Sequence, residues 1–366
     1  MSNMSSNTEF TQHLSNILSH SALSFAIGFG IRLGLFDALA TFSQENPATA
    51  EALANKLKLK PNYVFDWLSA MACGGIIEVD STGQNFWIPE NRKETIAGST
   101  DPLFLMNLHT GRLASGFEDV LKVFKKDGPQ SYDMHKHAHG HGHGHQSYQD
   151  LNAAKHAALK KYFKSDYLAK LDMTEKLESG IDVLDVGCGT GMQILELAQL
   201  FPKSRFIGFD LSEGSIATAL KEQVIKGLKN VEFFVMDAKE FKSEWADKFE
   251  LVISFDSFHH HNHPERALKE VHRVLKPGGL FALVEMEGTT NAYKDKEKRG
   301  VLAAYTYSVG LYARKPEEDP NAETKGMWAL WSVENASKML EGAGFKDVKA
   351  EKVKFYELNV LFLARK

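Results

Sequence analysis

The run Ile181-Asp182-Val183-Leu184-Asp185-Val186, closed by Gly187-Cys188-Gly189-Thr190-Gly191, limits the fold of this chain more than any other stretch. An apolar run, a glycine cluster and then the helix-forming Met192-Gln193-Ile194-Leu195-Glu196-Leu197-Ala198 predict a buried strand, a tight turn and a helix. Glycine lets such a turn form without Cβ clashes and lets a ligand reach the main chain at a helix N-terminus. A G-x-G-x-G turn is close kin to the dinucleotide fingerprint. A second apolar strand, Arg205-Phe206-Ile207-Gly208-Phe209-Asp210, ends on a carboxylate where Rossmann-type folds place one for ribose hydroxyls. At this point NAD and an adenosyl ligand fit equally.

Later segments separate the two. Val231-Glu232-Phe233-Phe234-Val235-Met236-Asp237-Ala238, Phe249-Glu250-Leu251-Val252-Ile253-Ser254-Phe255-Asp256 and Val274-Leu275-Lys276-Pro277-Gly278-Gly279 complete a pattern that resembles class I S-adenosylmethionine-dependent methyltransferases. The expected fold class is therefore α/β, a Rossmann-like seven-stranded sheet with an N-terminal helical winged-helix domain. Strands are expected over 181–186, 205–210, 231–236, 249–254 and 279–285, alternating with helices in a parallel sheet with right-handed crossovers. The resemblance implies a closing antiparallel hairpin from 345–352 and 355–364. It also implies S-adenosylmethionine as cofactor, with Gly187, Gly189 and Gly191 at the methionine moiety, Asp210 at the ribose, and Asp237 with Ala238 at adenine. Asp185, Leu211 and Ser254 join the same cofactor-binding set.

At 366 residues the chain suits about two domains. Residues 1–100 are expected to form the N-terminal helical and winged-helix domain, 101–165 a helical bridge, and 166–366 the methyltransferase domain. Within the first, Thr49-Ala50-Glu51-Ala52-Leu53-Ala54 begins one helix and Pro61 begins another running to about Cys73. A small hairpin follows around Asp80-Ser81-Thr82-Gly83-Gln84. A DNA-reading helix needs Arg, Lys, Asn or Gln for base edges and phosphates. Tyr63 to Met71 contains no basic residue, so no nucleic-acid partner is expected.

A formal net charge of -4 gives no general attraction to polyanions. Two cysteines are too few for a disulfide framework, and Cys188 lies inside the glycine turn, which favours a reducing compartment. With a polar start and no signal-peptide core, the expectation is a cytoplasmic protein without a membrane partner. Ala22 to Phe42, interrupted by glycines and carrying Arg32 and Asp37, reads as buried helices rather than a membrane span. Apolar residues from Phe10 to Phe42 are too dense for one face, so a homodimer interface and packing on the chain's own catalytic domain are both open.

His135, His137, His139, His141, His143 and His145 alternate with small or polar residues. Such a tract can bind Zn, Ni or Cu, but its glycines give no fixed shell, and no metal site is expected there. Between the fifth strand and the hairpin, Gly288 to Leu330 is long enough to be a lid over substrate. Tyr305, Tyr307 and Trp328 are its candidate pocket walls. The catalytic candidate is His259, at the carboxyl end of the fourth strand, where open α/β sheets bind ligands. Many relatives of the resembled family carry Asp after this histidine, where His260 stands here, so no carboxylate neighbour in sequence is available to pair with it. Glu285 and Glu287 are the next candidates for a base. The turn at Asn262 and Pro264 is expected to expose the later histidines.

The expected function is transfer of a methyl group to an oxygen, nitrogen or sulfur of a small molecule. Two rivals are a winged-helix regulator that senses S-adenosylmethionine and a metal-binding protein acting through the histidine tract.

Overall fold

The computed structural model describes residues 6–99, 101–132, 156, 159–261, 263–289, 291–313, 332–355 and 358–366. They divide into two compact units. One holds the residues up to Leu121, and the other holds 122–132 with Leu159–Lys366. The histidine tract at 135–145 and Trp328 lie outside the described residues.

In the first unit, α1 spans Asn7–Arg32, capped by Ser6, whose hydroxyl accepts the Glu9 N–H while Glu9 returns a bond to the Ser6 N–H. It is followed by α2 (Leu35–Leu39), α3 (Ala50–Leu57) and α4 (Pro61–Cys73), with Thr49 capping α3 and Pro61 opening α4. Strands β1 (Glu78–Val79) and β2 (Phe86–Trp87) pair antiparallel as the wing, and Ala48 bridges to Phe86. The core gathers Leu35, Phe36, Leu53, Val64, Leu68, Met71 and Phe86, and the Trp67 indole N–H donates to the Ala26 carbonyl at 2.8 Å.

Over Ala22 to Phe42, expected as buried helices, α2 is mostly buried and the C-terminal part of α1 is half-buried, with Ile27 and Gly30 buried and Phe29 exposed. Before that stretch Phe10, Leu14, Ile17 and Leu18 are exposed, because within this unit α1 packs mainly through its C-terminal half. α1 is a single continuous helix of 26 residues. Among the described residues this is the one helix long and apolar enough to cross a membrane, by length and composition.

The second unit is built on seven strands. They are β3 (Asp182–Val186), β4 (Arg205–Asp210), β5 (Val231–Val235), β6 (Phe249–Phe255), β7 (Leu275–Met286), β8 (Lys346–Lys352) and β9 (Asn359–Arg365). Their order is β5-β4-β3-β6-β7-β9-β8. β5 to β7 across this order are parallel, and β9 lies antiparallel to both β7 and β8. The order reverses between β3 and β6, so the carboxyl ends of these two strands flank the crevice where such sheets bind ligands. One face buries Val183, Ile194, Leu197, Phe206 and Leu251, and the other Leu184, Phe209, Val252, Leu268 and Phe281. Burial on both faces explains why these strands read as continuous apolar runs rather than alternating ones. β7 begins at Leu275, earlier than the expected 279, and runs through Gly278 and Gly279.

Candidate active site

The turn after β3 is built as its glycines require. Gly187, Gly189 and Gly191 have φ of 71°, 54° and 78°. A Cβ on Gly187 would stand 1.9 Å from the Ser257 hydroxyl oxygen, so the loop after β6 lies directly against the turn. A Cβ on Gly189 would meet no atom within 4 Å, so this point of the main chain faces open space. The N–H groups of Gly187 and Cys188 both donate to the Phe209 carbonyl at 2.9 Å, and the helix Met192–Leu200 starts immediately after Gly191.

Asp210, at the end of β4, accepts the Gly189 N–H at 2.9 Å through Oδ2 and the Ser212 N–H at 2.8 Å through Oδ1. It therefore ties the glycine turn to its own strand end. An ionised carboxylate offers about four lone-pair sites, which leaves acceptor capacity after two such bonds. Leu211 beside it is 68% exposed. Asp237 is exposed and accepts the Lys239 N–H at 2.9 Å, while Ala238 is buried. Ser254, expected in the cofactor-binding set, lies inside the sheet near the carboxyl end of β6. It is fully buried, and its hydroxyl donates to the Val186 carbonyl at 2.7 Å, so it fastens β6 to β3 from inside the sheet. Asp185 is buried at the heart of the turn. Burial, and next the Asp210 charge, push its carboxyl well above the ordinary Asp range.

His259 follows β6 in a short turn, Phe258–His260, and is buried. Its Nδ1 is hydrogen-bonded to Oε2 of Glu285, which β7 carries in from the neighbouring strand. The other Glu285 oxygen accepts the Phe258 N–H at 2.7 Å and the His259 N–H at 3.3 Å. Asp256, just before, adopts φ 48°, donates its N–H to the Val284 carbonyl at 2.8 Å, and accepts the Asn359 side-chain amide through Oδ1. Left-handed backbone costs a non-glycine residue energy, Asp less than most, and such outliers concentrate at functional sites. Asp256, His259 and Glu285 bring ligand atoms within 4.8 Å of one another, a spacing a cation could use. Glu285, however, already spends both oxygens on protein donors.

The later histidines are half-buried rather than exposed. His261 stacks on Phe258 with ring centroids 5.0 Å apart, and His263 approaches Glu265 at 3.2 Å. Glu287 is pinned by Lys298 at 2.9 Å and by Lys352. Burial alone would raise its pKa, but the two lysine bonds outweigh that and hold it below the usual range. Of the expected insert, Ala292–Arg299 and Val301–Ala313 form helices. The half-buried Tyr307 donates its hydroxyl to Asp295 at 2.8 Å and so braces these helices to each other. Tyr305 is largely enclosed, and burial pushes its pKa up to about 12.

The sequence reading missed the carboxylate partner of His259 and the Asn359 contact to Asp256. A signal was present, since Glu285 directly follows the apolar run Leu280-Phe281-Ala282-Leu283-Val284, and a carboxylate in a buried strand needs a partner.

Comparison with known proteins places two family models on the chain. A "Methyltransferase domain" matches residues 177–316, and an "Rv2258c-like winged HTH domain" matches residues 21–97. The tRNA (guanine-N(7)-)-methyltransferase of Pseudomonas putida is 30% identical over 184 residues, covering 46% of this chain and 71% of that protein. The ubiquinone biosynthesis O-methyltransferase of Pseudomonas syringae pv. tomato is 30% identical over 115 residues, 31% of this chain, and the match spans about half of that relative, 48%. Human N-acetylserotonin methyltransferase, solved in complex with S-adenosylmethionine, superposes with a TM-score of 0.67 at 16% identity, covering 100% of this chain and 99% of that one.

Proposed function

The chain belongs to the S-adenosylmethionine-dependent methyltransferases with an N-terminal winged-helix domain, and from that premise we propose that it methylates an oxygen, nitrogen or sulfur of a small molecule with His259 as general base. The observation that carries this reading is the buried His259–Glu285 pair, two residues beyond the Ser257 that touches the glycine turn.

The residues present fit the cofactor. The main chain at Gly189 opens to space, the exposed apolar Leu211 adjoins the Asp210 carboxylate, and Asp185 is a buried acidic group beside the turn. Gly187, Gly189 and Gly191 would hold the methionine end with Asp185. Asp210 and Leu211 would hold the ribose, and Asp237 with Ala238 the adenine. When bound, the cofactor supplies a methyl group already activated on a sulfonium. The protein's share is alignment, exclusion of water and removal of the acceptor's proton. With its Nδ1 proton directed at Glu285, a neutral His259 ring carries its lone pair at Nε2, the form that accepts a proton. Glu285 fixes that tautomer and stabilises the imidazolium that follows, as the carboxylate does in a Ser-His-Asp triad.

A small acceptor is supported over nucleic acid by α4, whose exposed residues Asn62, Tyr63 and Asp66 include no cation. The exposed apolar residues of α1 support a homodimer, and two free cysteines support a cytoplasmic setting. The test is incubation with methyl-labelled S-adenosylmethionine and cell extract divided into small-molecule and RNA fractions. Label in a small molecule supports the reading, and label confined to RNA, or none transferred, refutes it.

A further inference from the structure

Asp185 and Tyr167 carry polar atoms sealed in the core of the second unit. Asp185 is 1% exposed and Tyr167 0%, and among the described residues neither the Asp185 Oδ2 nor the Tyr167 hydroxyl has a hydrogen-bond partner. Buried orphans are rare in folded proteins, and each calls for a reason. Both lie over the same face of β6, where Asp185 pairs with Ile253 and the Tyr167 ring packs 4.9 Å from that of Phe255, two residues further on. Burial first, and next the Asp185 charge, push the Tyr167 hydroxyl pKa up.

The backbone is shaped to put Tyr167 there. It sits in a π-helical turn, Phe163–Leu168, a form that is uncommon and often found at functional sites. Asp166 holds that turn from within the core by pairing with Lys170 and accepting the Lys354 N–H at 2.7 Å. The Tyr167 ring is wedged between Phe163, Phe255 and Phe355, with centroids 5.4, 4.9 and 6.1 Å away. A phenylalanine would satisfy this packing, so the hydroxyl is the part that packing does not explain.

The surroundings of Asp185 disfavour a charge on it. Asp210 faces it from β4, Tyr167 from the π turn and Cys188 from the glycine loop, and none of these is a cation. Burial in such surroundings favours the protonated carboxyl over the charged one.

Resting on the reading that Asp185 adjoins the methionine end of the cofactor, we infer that Tyr167 is a cofactor-positioning residue acting through Asp185. Asp185 takes the cofactor's cationic ammonium at the edge of the glycine turn and releases its proton to solvent on that encounter, and the Tyr167 hydroxyl behind it donates to the carboxylate so formed. One O–H bond of Asp185 breaks, the ammonium keeps its protons, and nothing is oxidised or reduced. Because binding favours the ionised acid, affinity rises with pH, up to about tenfold per pH unit, until Asp185 is ionised in the empty protein and then levels off.

The test is calorimetry of S-adenosylmethionine into the full-length protein in buffers of different ionisation enthalpy. It is run near pH 6, where an α-amino group of pKa about 7.7–8.0 is already charged in solution. The wild type should release close to one proton per cofactor bound. Asp185→Asn should release none and bind with no pH dependence, and Tyr167→Phe should bind about tenfold more weakly with a smaller release. Binding without proton release in the wild type, or equal release from Asp185→Asn, overturns the proton step. Unchanged affinity and release in Tyr167→Phe make Tyr167 a core residue only. No binding by a folded wild type would instead defeat the cofactor reading on which the inference stands.

Discussion

The His259 imidazole, in the turn after β6, meets the Glu285 carboxylate of the adjacent parallel strand β7, with Nδ1 of one on Oε2 of the other and the second carboxylate oxygen fixed by the N–H groups of Phe258 and His259. Both side chains are sealed from solvent. A carboxylate so placed holds the ring's orientation and tautomer. Glu285→Gln keeps the shape and removes the charge. It should slow turnover by about 10²-fold or more while cofactor affinity stays within twofold, read by single-turnover kinetics beside calorimetry. An equal fall in affinity would make Glu285 a support of the pocket alone.

Asp210 carries two duties, which raises the expected cost of losing it. Its oxygens already order the Gly189 and Ser212 backbone. Charge-assisted bonds contribute about 1.5–3 kcal/mol each, so Asp210→Ala should weaken S-adenosylmethionine binding by roughly tenfold or more. Thermal unfolding of the empty variant should also begin earlier, because the turn loses its anchor. Wild-type affinity in a folded Asp210→Ala protein would remove this residue from the site.

Asp185 gives a stability prediction with a definite sign. Its pKa in the folded protein is raised by burial and by Asp210. The unfolded chain therefore loses the proton first as pH rises, near the ordinary Asp value of about 3.9. From there upward to the folded-state pKa, this group increasingly favours unfolding. Asp185→Asn abolishes that penalty. The empty variant should match the wild type in acid and exceed it increasingly toward neutral pH in denaturant titrations. A constant difference across pH would contradict the raised pKa.

The winged helix should not read DNA. α4 buries Val64, Trp67, Leu68 and Met71 and exposes Asn62, Tyr63 and Asp66. Residual binding should be weak and fall steeply with salt, as phosphate-only contacts do. Recovery of a defined sequence from a gel-shift selection at physiological salt would overturn this.

The parts of the fold legible in the sequence were those written locally. Val183 to Gly191 specifies strand, turn and helix within one stretch, and the doubly buried strands announce themselves as apolar runs. What stayed hidden depends on register between distant segments. Glu285 lies 26 positions from His259 and reaches it only because β6 pairs with β7 in parallel. Ser254 turned out to point at Val186 inside the sheet, since side chains on a strand alternate and one position decides the face. Tyr167 was invisible for a different reason. A π turn inserts a residue into a helical pattern, and no periodicity marks where. The exposed length of α1 carries apolar residues too dense for one face, but apolar density does not say which surface covers them.

The most direct measurement is turnover and cofactor affinity in His259→Ala, using the acceptor that label transfer identifies. Loss of a general base lowers rate by about 10²–10⁴. The account expects a fall of that order in single-turnover rate with S-adenosylmethionine affinity nearly unchanged. If rate and affinity fall together, or neither changes, His259 is not the base and the central claim fails.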